Sequence, residues 1–406
     1  FDLKVLYKNV MFDMKKNVLF NFVVFVVALS CFTNCSPEND GLPASEDPVT
    51  LSIVDKQATS ETKALLANLW DIQKKGFMFG HHADFYMGRD WLYDKTKTQS
   101  DTYNVCGDYP GVLGIDFAKM IDDRYSDSKE HNEKLRDCCL DAYRRGMVIL
   151  ACIHINNPLT GGDSWDNSSN EVAKEILKDG SVTNVKFKTW LDRLAAFANN
   201  LKGDGGELIP IIFRPFHEHT DPWSWWGSTC TTEKEYISLW RFTVEYLRDI
   251  KGVHNFLYAI SPDMNKMGDD SDILYRYPGD NYVDFIGIDS YVGLNNNIFV
   301  NNLKALVRVS KSKLKPCGVT ETGVEGFQAS DYWSTNILAP LTGRQISMVV
   351  TWTNEYGPSD LGNHYFSVFP GHPSEKDFIK FFNNDLTFFC NDLPQMYEML
   401  DCVSID

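Results

Sequence analysis

Two glutamates, each placed just after a short apolar run, are the residues of this chain best suited to chemistry. Glu218 lies in Arg-Pro-Phe-His-Glu-His at 214–219, after the run 208–213, and Glu321 lies in Thr-Glu-Thr-Gly at 320–323, after the run 317–319. Because both runs are apolar and contain β-branched residues, each glutamate is predicted to follow a buried strand. A pair of carboxyls at strand ends can hydrolyse a glycosidic bond, since one protonates the leaving oxygen and the other attacks the sugar or activates water.

The composition favours a neutral ligand such as a sugar. Three tryptophans follow Glu218 closely, and they suit a sugar-binding cleft because an indole ring offers a large apolar face with a polar edge: Trp223, Trp225 and Trp226. Trp225 and Trp226 could equally belong to the core of the loop. The net charge of −16 over 406 residues disfavours contact with nucleic acid or with anionic lipid. Apolar residues make up 43% of the chain, which is ample for a packed core.

Eight short apolar runs alternate with amphipathic, charge-rich segments. The runs are Phe77–Gly80, Val112–Ile115, Met147–Ile155, Leu208–Phe213, Phe256–Ile260, Val283–Ile288, Cys317–Val319 and Ile346–Thr351. Among the segments between them, the helix that begins after Thr232 is well marked, because Glu235 completes a capping box. Eight strands alternating with helices predict an α/β fold, a (β/α)8 barrel that forms one catalytic domain over residues 56–406. A doubly wound open sheet is the alternative, but the chain has no Gly-rich phosphate turn after an early strand.

The polar residues of the predicted barrel gather at one end of successive strands. They are Asp116, His154, Glu218, Asp263, Asp289, Glu321 and Trp352. This end is the face at which barrel enzymes carry their chemistry. Glu218 follows strand 4 and lies among histidines and tryptophans, so we assign it as the acid/base. Glu321 follows strand 7, where Tyr291 could donate a hydrogen bond to it, so we assign it as the nucleophile, which must stay charged.

Four motifs together resemble glycoside hydrolase family 26, whose members are mainly β-1,4-mannanases. They are residues 79–82 (Phe-Gly-His-His), 214–219, 287–291 (Gly-Ile-Asp-Ser-Tyr) and 320–323. The resemblance covers about residues 60–390. It implies a retaining enzyme that cleaves β-1,4-mannosidic bonds in mannan, glucomannan or galactomannan by double displacement, with no cofactor and no metal.

The resemblance also implies roles for individual residues. Glu218 matches the acid/base and Glu321 the nucleophile, while the residues that match substrate-binding or supporting positions are His154, His217, Trp223, Tyr291 and Trp352. We add His82 and Asp116 as strand-end candidates for substrate binding. Joint metal ligation by His81 and His82 is disfavoured, because neighbouring residues on a strand point opposite ways. Thr353 is a departure, since relatives that cleave mannan often carry arginine after this tryptophan, and it puts the −2 subsite in doubt.

Three alternatives remain open from the sequence. Within the same family, the chain could be a β-1,3-xylanase or a mixed-linkage β-glucanase. In a different class, it could be a non-catalytic carbohydrate-binding surface lipoprotein, although the presence of both glutamates argues against that. We expect a monomer whose partner is β-mannan polysaccharide or oligosaccharide, and no nucleic acid.

Residues 1–35 are interpreted as upstream sequence followed by a bacterial export signal. Lys15 and Lys16 follow Met14, and the apolar stretch Val18–Leu29 comes next. That stretch is too short to cross a membrane. A cysteine just beyond it, at 31 or 35, resembles a lipidation site, and residues 36–55 are predicted to form a linker. The expected location is therefore an outer-membrane or cell-surface lipoprotein, or a periplasmic or secreted protein, with the membrane reached only through the lipid anchor.

Overall fold

Eight parallel strands close into a barrel in the computed structural model, which describes residues 49–124, 129–357 and 364–406. Numbered β1 to β8, they span Phe77–His82, Val112–Asp116, Val148–Cys152, Ile211–Arg214, Phe256–Ile260, Phe285–Ser290, Cys317–Thr322 and Met348–Thr351. The ring closes where β8 pairs with β1, since Met348 lies opposite Met78 and Thr351 opposite His81. All eight predicted runs overlap these strands, and the predicted (β/α)8 barrel is confirmed.

Side chains along each strand alternate between two hydrophobic cores, because successive residues of a strand point to opposite faces. On β3, Val148 and Leu150 belong to the core inside the barrel, whereas Ile149 and Ala151 face the surrounding helices. Both faces are buried, which is why the strands of a parallel sheet are nearly continuous apolar runs. Leucines of helix Ser60–Ile72 join the inner core, so this helix covers the N-terminal mouth and leaves the C-terminal mouth for the site.

Helices pack around the barrel between successive strands. The α-helices of the described residues are Ser60–Ile72, Asp101–Cys106, Ala118–Ile121, Lys129–Arg144, Val172–Leu177, Val182–Asn200, Glu233–Glu245, Asp270–Ile273, Asn296–Lys313, Ala339–Leu341 and Glu375–Phe382. Two π-helical turns, Tyr246–Ile250 and Trp333–Leu338, extend this set. The predicted capping box is present, since Thr232 and Glu235 hydrogen-bond each other's backbone N–H. Within the described ranges, no helix combines the length and apolar character needed to cross a membrane.

The predicted linker over residues 36–55 is wrong at its C-terminal end. Val49–Leu51 form a strand that pairs in parallel with Val403–Ile405, and the backbone N–H of Val54 donates to Asp284 at 2.8 Å. The apolar residues at 49, 51 and 53 follow the period of two expected of a strand. The folded part therefore includes residues 49–55. The predicted export signal, both candidate lipidation cysteines and residues 36–48 lie outside the described residues.

Candidate active site

A β-bulge in β7 turns Glu321 into the mouth of the barrel. Val319 pairs with Ile288 of β6, but the next pair joins Glu321 to Asp289, so Thr320 is an extra residue on β7. Val319 faces the outer core, and strict alternation would have pointed Glu321 outward as well. A bulge bends the strand and re-aims the side chain beyond it. Glu321 therefore lies beside Asp289, inside the C-terminal mouth.

Glu321 is held as a carboxylate by two donors. Arg214 Nη2 donates to its Oε1, and the hydroxyl of Tyr291 donates to its Oε2 at 2.9 Å. Burial is the largest single influence and would raise the pKa of Glu321, but the charge and hydrogen bond of Arg214, together with His82 and His154, outweigh it, and the pKa lies below its usual value. This glutamate is therefore charged at neutral pH, as a nucleophile must be.

Arg214 is fully buried between two carboxylates. Its Nη1 donates to Asp289 Oδ2 at 2.5 Å and to Ser261 Oγ at 3.2 Å, while Nη2 serves Glu321. Burial, opposed by Arg214 and reinforced by the charge of Glu321, raises the pKa of Asp289 to about 7. Removing one member of such a cluster leaves another charge buried and unpaired. Asp289 and Ser261 therefore fix the guanidinium that orients the nucleophile.

Glu218 lies on a tight turn after β4, where its surroundings favour the protonated form. Phe216 and Glu218 both adopt left-handed backbone conformations, with φ of +50° and +53°. Trp223 Nε1 donates to Glu218 Oε2 at 2.9 Å. Burial raises the pKa of Glu218 well above its usual value, and the nearby charges of Glu321 and Asp289 raise it further. A carboxyl that keeps its proton near neutral pH can serve as a general acid.

A chain of hydrogen bonds runs from Asp116 towards the nucleophile through two histidines. Asp116 Oδ2 lies 2.9 Å from His154 Nδ1, and His154 Nε2 lies 3.1 Å from His217 Nε2. The same nitrogen of His217 is 3.8 Å from Glu321 Oε1. Burial and the charge of Arg214 hold the pKa of His217 well below its usual value, so this imidazole is neutral. Asp116 thus orients His154, and the pair places a neutral imidazole edge beside the nucleophile.

Trp352 and His82 pack against each other at the C-terminal mouth of the barrel. Their ring centroids are 4.6 Å apart and the rings are tilted by 46°. Burial lowers the pKa of His82 to about 4, so the ring against the tryptophan is neutral. A cavity of about 180 Å³ opens beside this pair, with Asp116 and Thr353 also in its lining. The arrangement suits a sugar ring stacked on Trp352.

A second cleft, of about 600 Å³, is lined in part by Asp263 and by Trp223, the residue that donates to Glu218. The neighbouring segments 164–167 and 222–225 lie antiparallel, because Trp225 N–H donates to Ser164 O and Asn167 Nδ2 donates to Pro222 O. Trp165 belongs to the first of these segments and is 60% exposed, which makes it a further candidate for stacking on a sugar. Sequence inspection missed it, although a tryptophan in a loop after β3 was the available signal.

Trp225 and Trp226 are not part of the cleft but belong to the core of the loop, which is one of the two positions that the sequence allowed them. Both are buried, and their indole N–H groups donate to the backbone oxygens of Ile155 and His217. They support the loop that carries Glu218. Spacing after a strand could not separate a cleft tryptophan from two that fill the space beneath the loop.

Two side-chain sets at the site have the composition of a metal centre, Asp116 with Cys152 and His154, and His217 with Asp289 and Glu321; the ligand atoms of each set lie within 4.8 Å of one another. The second set contains the nucleophile. However, Arg214 already donates to both carboxylates. A cation placed among them would lie against a guanidinium, which is electrostatically unfavourable. The arrangement therefore suits charge pairing within the protein better than ion binding.

Comparison with known proteins places these features in a family. A profile of glycosyl hydrolase family 26 matches residues 54–326. A mannan endo-1,4-β-mannosidase of Bifidobacterium adolescentis is 34% identical over 357 residues, which cover 82% of this chain and 35% of the relative. The chain thus spans about a third of the length of that relative. A second mannan endo-1,4-β-mannosidase, from Bacillus subtilis, is 24% identical over 75% of this chain and 82% of its own length.

Solved structures agree with the sequence comparison. A family 26 β-mannanase from Bacteroides ovatus superposes with a TM-score of 0.77 at 36% identity, over 84% of this chain and 98% of that one. The catalytic domain of a family 26 endo-β-1,4-mannanase from Bacillus sp. JAMB-750 superposes with a TM-score of 0.80 at 31% identity, over 90% and 100%. The profile, the relatives and the barrel with its two glutamates agree, and the chain belongs to glycosyl hydrolase family 26 as a glycoside hydrolase.

Proposed function

We propose that this enzyme cleaves β-1,4-mannosidic bonds in mannan, glucomannan or galactomannan by double displacement, with retention of configuration. One observation carries the mechanistic part of the proposal. The surroundings of the two glutamates drive their pKa values in opposite directions, below the usual value for Glu321 and well above it for Glu218. Two carboxyls in opposite protonation states at one pH can act as nucleophile and acid.

In the first step, a carboxylate oxygen of Glu321 attacks the anomeric carbon while Glu218 transfers its proton to the glycosidic oxygen. The bond to the leaving sugar breaks, and a glycosyl ester of Glu321 forms. In the second step, Glu218 takes a proton from a water molecule that attacks the same carbon. The ester bond breaks, the sugar leaves with the configuration it had at the start, and both glutamates regain their original states.

The electrostatic coupling of the two glutamates supports the change of role between these steps. The negative charge of Glu321 contributes to the raised pKa of Glu218. Once Glu321 is esterified it carries no charge, so the pKa of Glu218 falls and the carboxylate form becomes easier to reach. The group that acted as an acid can then act as a base.

The mannan part of the proposal is supported by the relatives, since the two described above are named mannan endo-1,4-β-mannosidases. The site also suits a neutral sugar, because Trp352 lines one cavity of the barrel mouth and Trp223, which donates to Glu218, lines the other. Thr353 is buried and lines the cavity beside Trp352.

The substrate is tested by measuring hydrolysis of mannan, of a mixed-linkage β-glucan and of β-1,3-xylan side by side. We expect mannan to be cleaved with the highest kcat/KM. A higher kcat/KM on β-1,3-xylan or on the β-glucan would overturn the mannan assignment in favour of the corresponding alternative. Hydrolysis of none of the three by well-folded protein would favour a non-catalytic carbohydrate-binding protein.

The mechanism is tested by following the product anomer by NMR and by changing the nucleophile. We expect the β-anomer to form first, and an initial α-anomer would refute double displacement. Glu321→Ala should reduce hydrolysis by roughly 10⁴-fold or more, as the loss of a covalent catalyst does. Azide should restore turnover of an activated aryl mannoside as a glycosyl azide of inverted configuration. Glu325→Ala is the matched control, since this glutamate lies on the same loop, is 59% exposed and pairs with His364.

A further inference from the structure

The backbone around Glu218 is held by hydrogen bonds to four other residues, three of which use their side chains and one its backbone carbonyl. In the run 216–219, every residue has a backbone group in such a contact: Phe216 O accepts from Tyr236 Oη at 3.0 Å, His217 O from Trp226 Nε1 at 2.7 Å and His219 O from Arg276 Nη1 at 3.0 Å, while Glu218 N–H donates to Ser261 O at 2.7 Å. A turn with two left-handed, non-glycine residues needs such support to persist. One of the supporting groups, Arg276, differs from the rest because it is charged.

Arg276 is buried, with 1% of its surface exposed, and it gathers oxygen atoms from both ends of one loop. Besides His219 O, its Nη1 donates to Thr231 Oγ1 at 3.0 Å and to Trp226 O at 3.3 Å, and its Nη2 donates to Thr231 O. It makes no ion pair with a carboxylate of the part of the chain that the structure describes. Burial of a charge without a counter-charge is unfavourable. The carbonyl oxygens that accept from this guanidinium compensate for part of that cost.

We propose that Arg276 is a positioning residue that fixes the 219–231 loop, so that Glu218 meets the leaving oxygen and Trp223 stays bonded to Glu218. The inference rests on the proposed role of Glu218 as the acid. The geometry favours it because Arg276 bonds His219, directly after Glu218, and also Thr231, at the far end of the loop. Trp223, which donates to Glu218, lies between these two anchors.

A lysine cannot replace this arginine. The guanidinium is a planar fork whose donors point in fixed directions, whereas an ammonium is a compact point charge on a flexible stem. Arg276→Lys would keep the charge and lose the simultaneous bonds to His219 and Thr231. The loop would then no longer be tied at both ends.

The chain contains a matched control at Arg241. Its Nε and Nη2 both donate to Pro278 O, at 2.8 and 2.7 Å, so it too is an arginine that binds backbone carbonyl. Pro278 is two residues from Arg276 and does not belong to the loop that carries the acid. Loss of a guanidinium–carbonyl contact in this region can thus be separated from loss of contact with the loop.

The experiment compares Arg276→Lys, Arg276→Ala and Arg241→Ala on manno-oligosaccharides and on an aryl β-mannoside with a good leaving group. Only the oligosaccharides need a proton delivered to the leaving oxygen. For the Arg276 variants we expect kcat on oligosaccharides to fall by about 100-fold, since a misplacement of about 1 Å can cost that much. The aryl mannoside should lose much less, and guanidinium ion should restore part of the kcat of Arg276→Ala. Arg241→Ala should behave as wild type on both substrates.

Equal losses of Arg276→Lys on both substrates, or wild-type kcat on the oligosaccharides, would overturn the inference. Failure of both Arg276 variants to fold, judged by circular dichroism, would also overturn it, because the arginine would then be structural. Glu218→Ala is measured in the same assay. If the kcat of Glu218→Ala falls equally on both substrates, the proposed acid role is refuted. If Glu218→Ala behaves as expected and only the Arg276 variants do not, the inference about Arg276 alone is refuted.

Discussion

The hydroxyl of Tyr291 offers the sharpest single-atom test of the site. It donates to Glu321 Oε2 at 2.9 Å, and Tyr291→Phe would remove this donor while keeping the ring that packs on Phe366, with centroids 5.9 Å apart. A hydrogen bond to a charged group contributes about 1.5–3 kcal/mol. At about 1.4 kcal/mol per tenfold change, its loss can reduce kcat/KM by roughly 10- to 150-fold. Arg214 would still hold the other carboxylate oxygen, so some activity should remain.

The pH dependence of Tyr291→Phe distinguishes loss of charge stabilisation from general damage. Glu321 acts as a carboxylate and its pKa is lowered, so activity is present above that pKa and is lost as the pH falls through it. Without the donor the pKa of Glu321 rises. The acid limb of kcat/KM should therefore move to higher pH, and the loss should be greatest on the acid side.

The assay is the pH profile of kcat/KM on a manno-oligosaccharide for wild type, Tyr291→Phe and Tyr246→Phe. The last variant is matched, because the hydroxyl of Tyr246 also donates to a carboxylate, Asp192 Oδ1 at 2.8 Å, away from the barrel mouth. It should lower thermal stability slightly and leave the profile unchanged. An unmoved acid limb in Tyr291→Phe, together with activity within about twofold of wild type where at least tenfold is expected, would refute the reasoning.

Three other predictions follow from the site and from the N-terminal sequence. Glu218→Ala should lower kcat far more on substrates with poor leaving groups than on activated aryl mannosides; equal losses of kcat on both substrates would contradict this. In the wild-type enzyme, the alkaline limb of the pH profile should reflect the raised pKa of Glu218, because activity is lost as the pH rises and the acid loses its proton. Trp352→Ala should weaken catalysis without unfolding the barrel, because stacking of an aromatic ring contributes about 0.5–1.5 kcal/mol beyond area burial; a large fall in Tm with normal activity of the folded fraction would instead make it a core residue. We also propose that the mature protein is membrane-attached through a lipidated cysteine; Cys31→Ser or Cys35→Ser should release it to the soluble fraction on cell fractionation, and the proposal fails if neither does.

The barrel could be predicted from the sequence because strands buried on both faces are uninterrupted apolar runs. Each of the eight runs overlaps an observed strand, and the polar residues after them lie at the C-terminal mouth. The ends of the strands could not be predicted as closely as their presence. The run Met147–Ile155, for example, continues past β3, which ends at Cys152. The apolar residues beyond the strand are buried by the adjoining loops, and burial does not require sheet pairing.

The details that re-aim the side chains could not be predicted from the same patterns. The extra residue at Thr320 is invisible to a count of alternating residues, yet it decides whether Glu321 faces the mouth or the outer core. The position of Arg214 between two carboxylates could not be predicted either, because its partners Asp289 and Glu321 are 75 and 107 residues away along the chain. The burial of Trp225 and Trp226 beneath the loop that carries Glu218 could not be predicted from their spacing, because it depends on how the loop packs.

The two glutamates differ in protonation because Arg214 donates a hydrogen bond to Glu321, whereas the hydrogen-bond donor to Glu218 is Trp223. Arg214 ends β4, four residues before Glu218, and the alternation of the strand points its side chain into the barrel, where it reaches Asp289 and Glu321. The chain then enters the left-handed turn that carries Glu218 over a different part of the mouth, so that Trp223 is its hydrogen-bond donor and the charge of Arg214 lowers its pKa less than burial and the neighbouring carboxylates raise it. The segment 214–219 thus supplies both the acid and the cation that keeps the nucleophile charged. A change that redirects Arg214 is therefore expected to disturb both roles together.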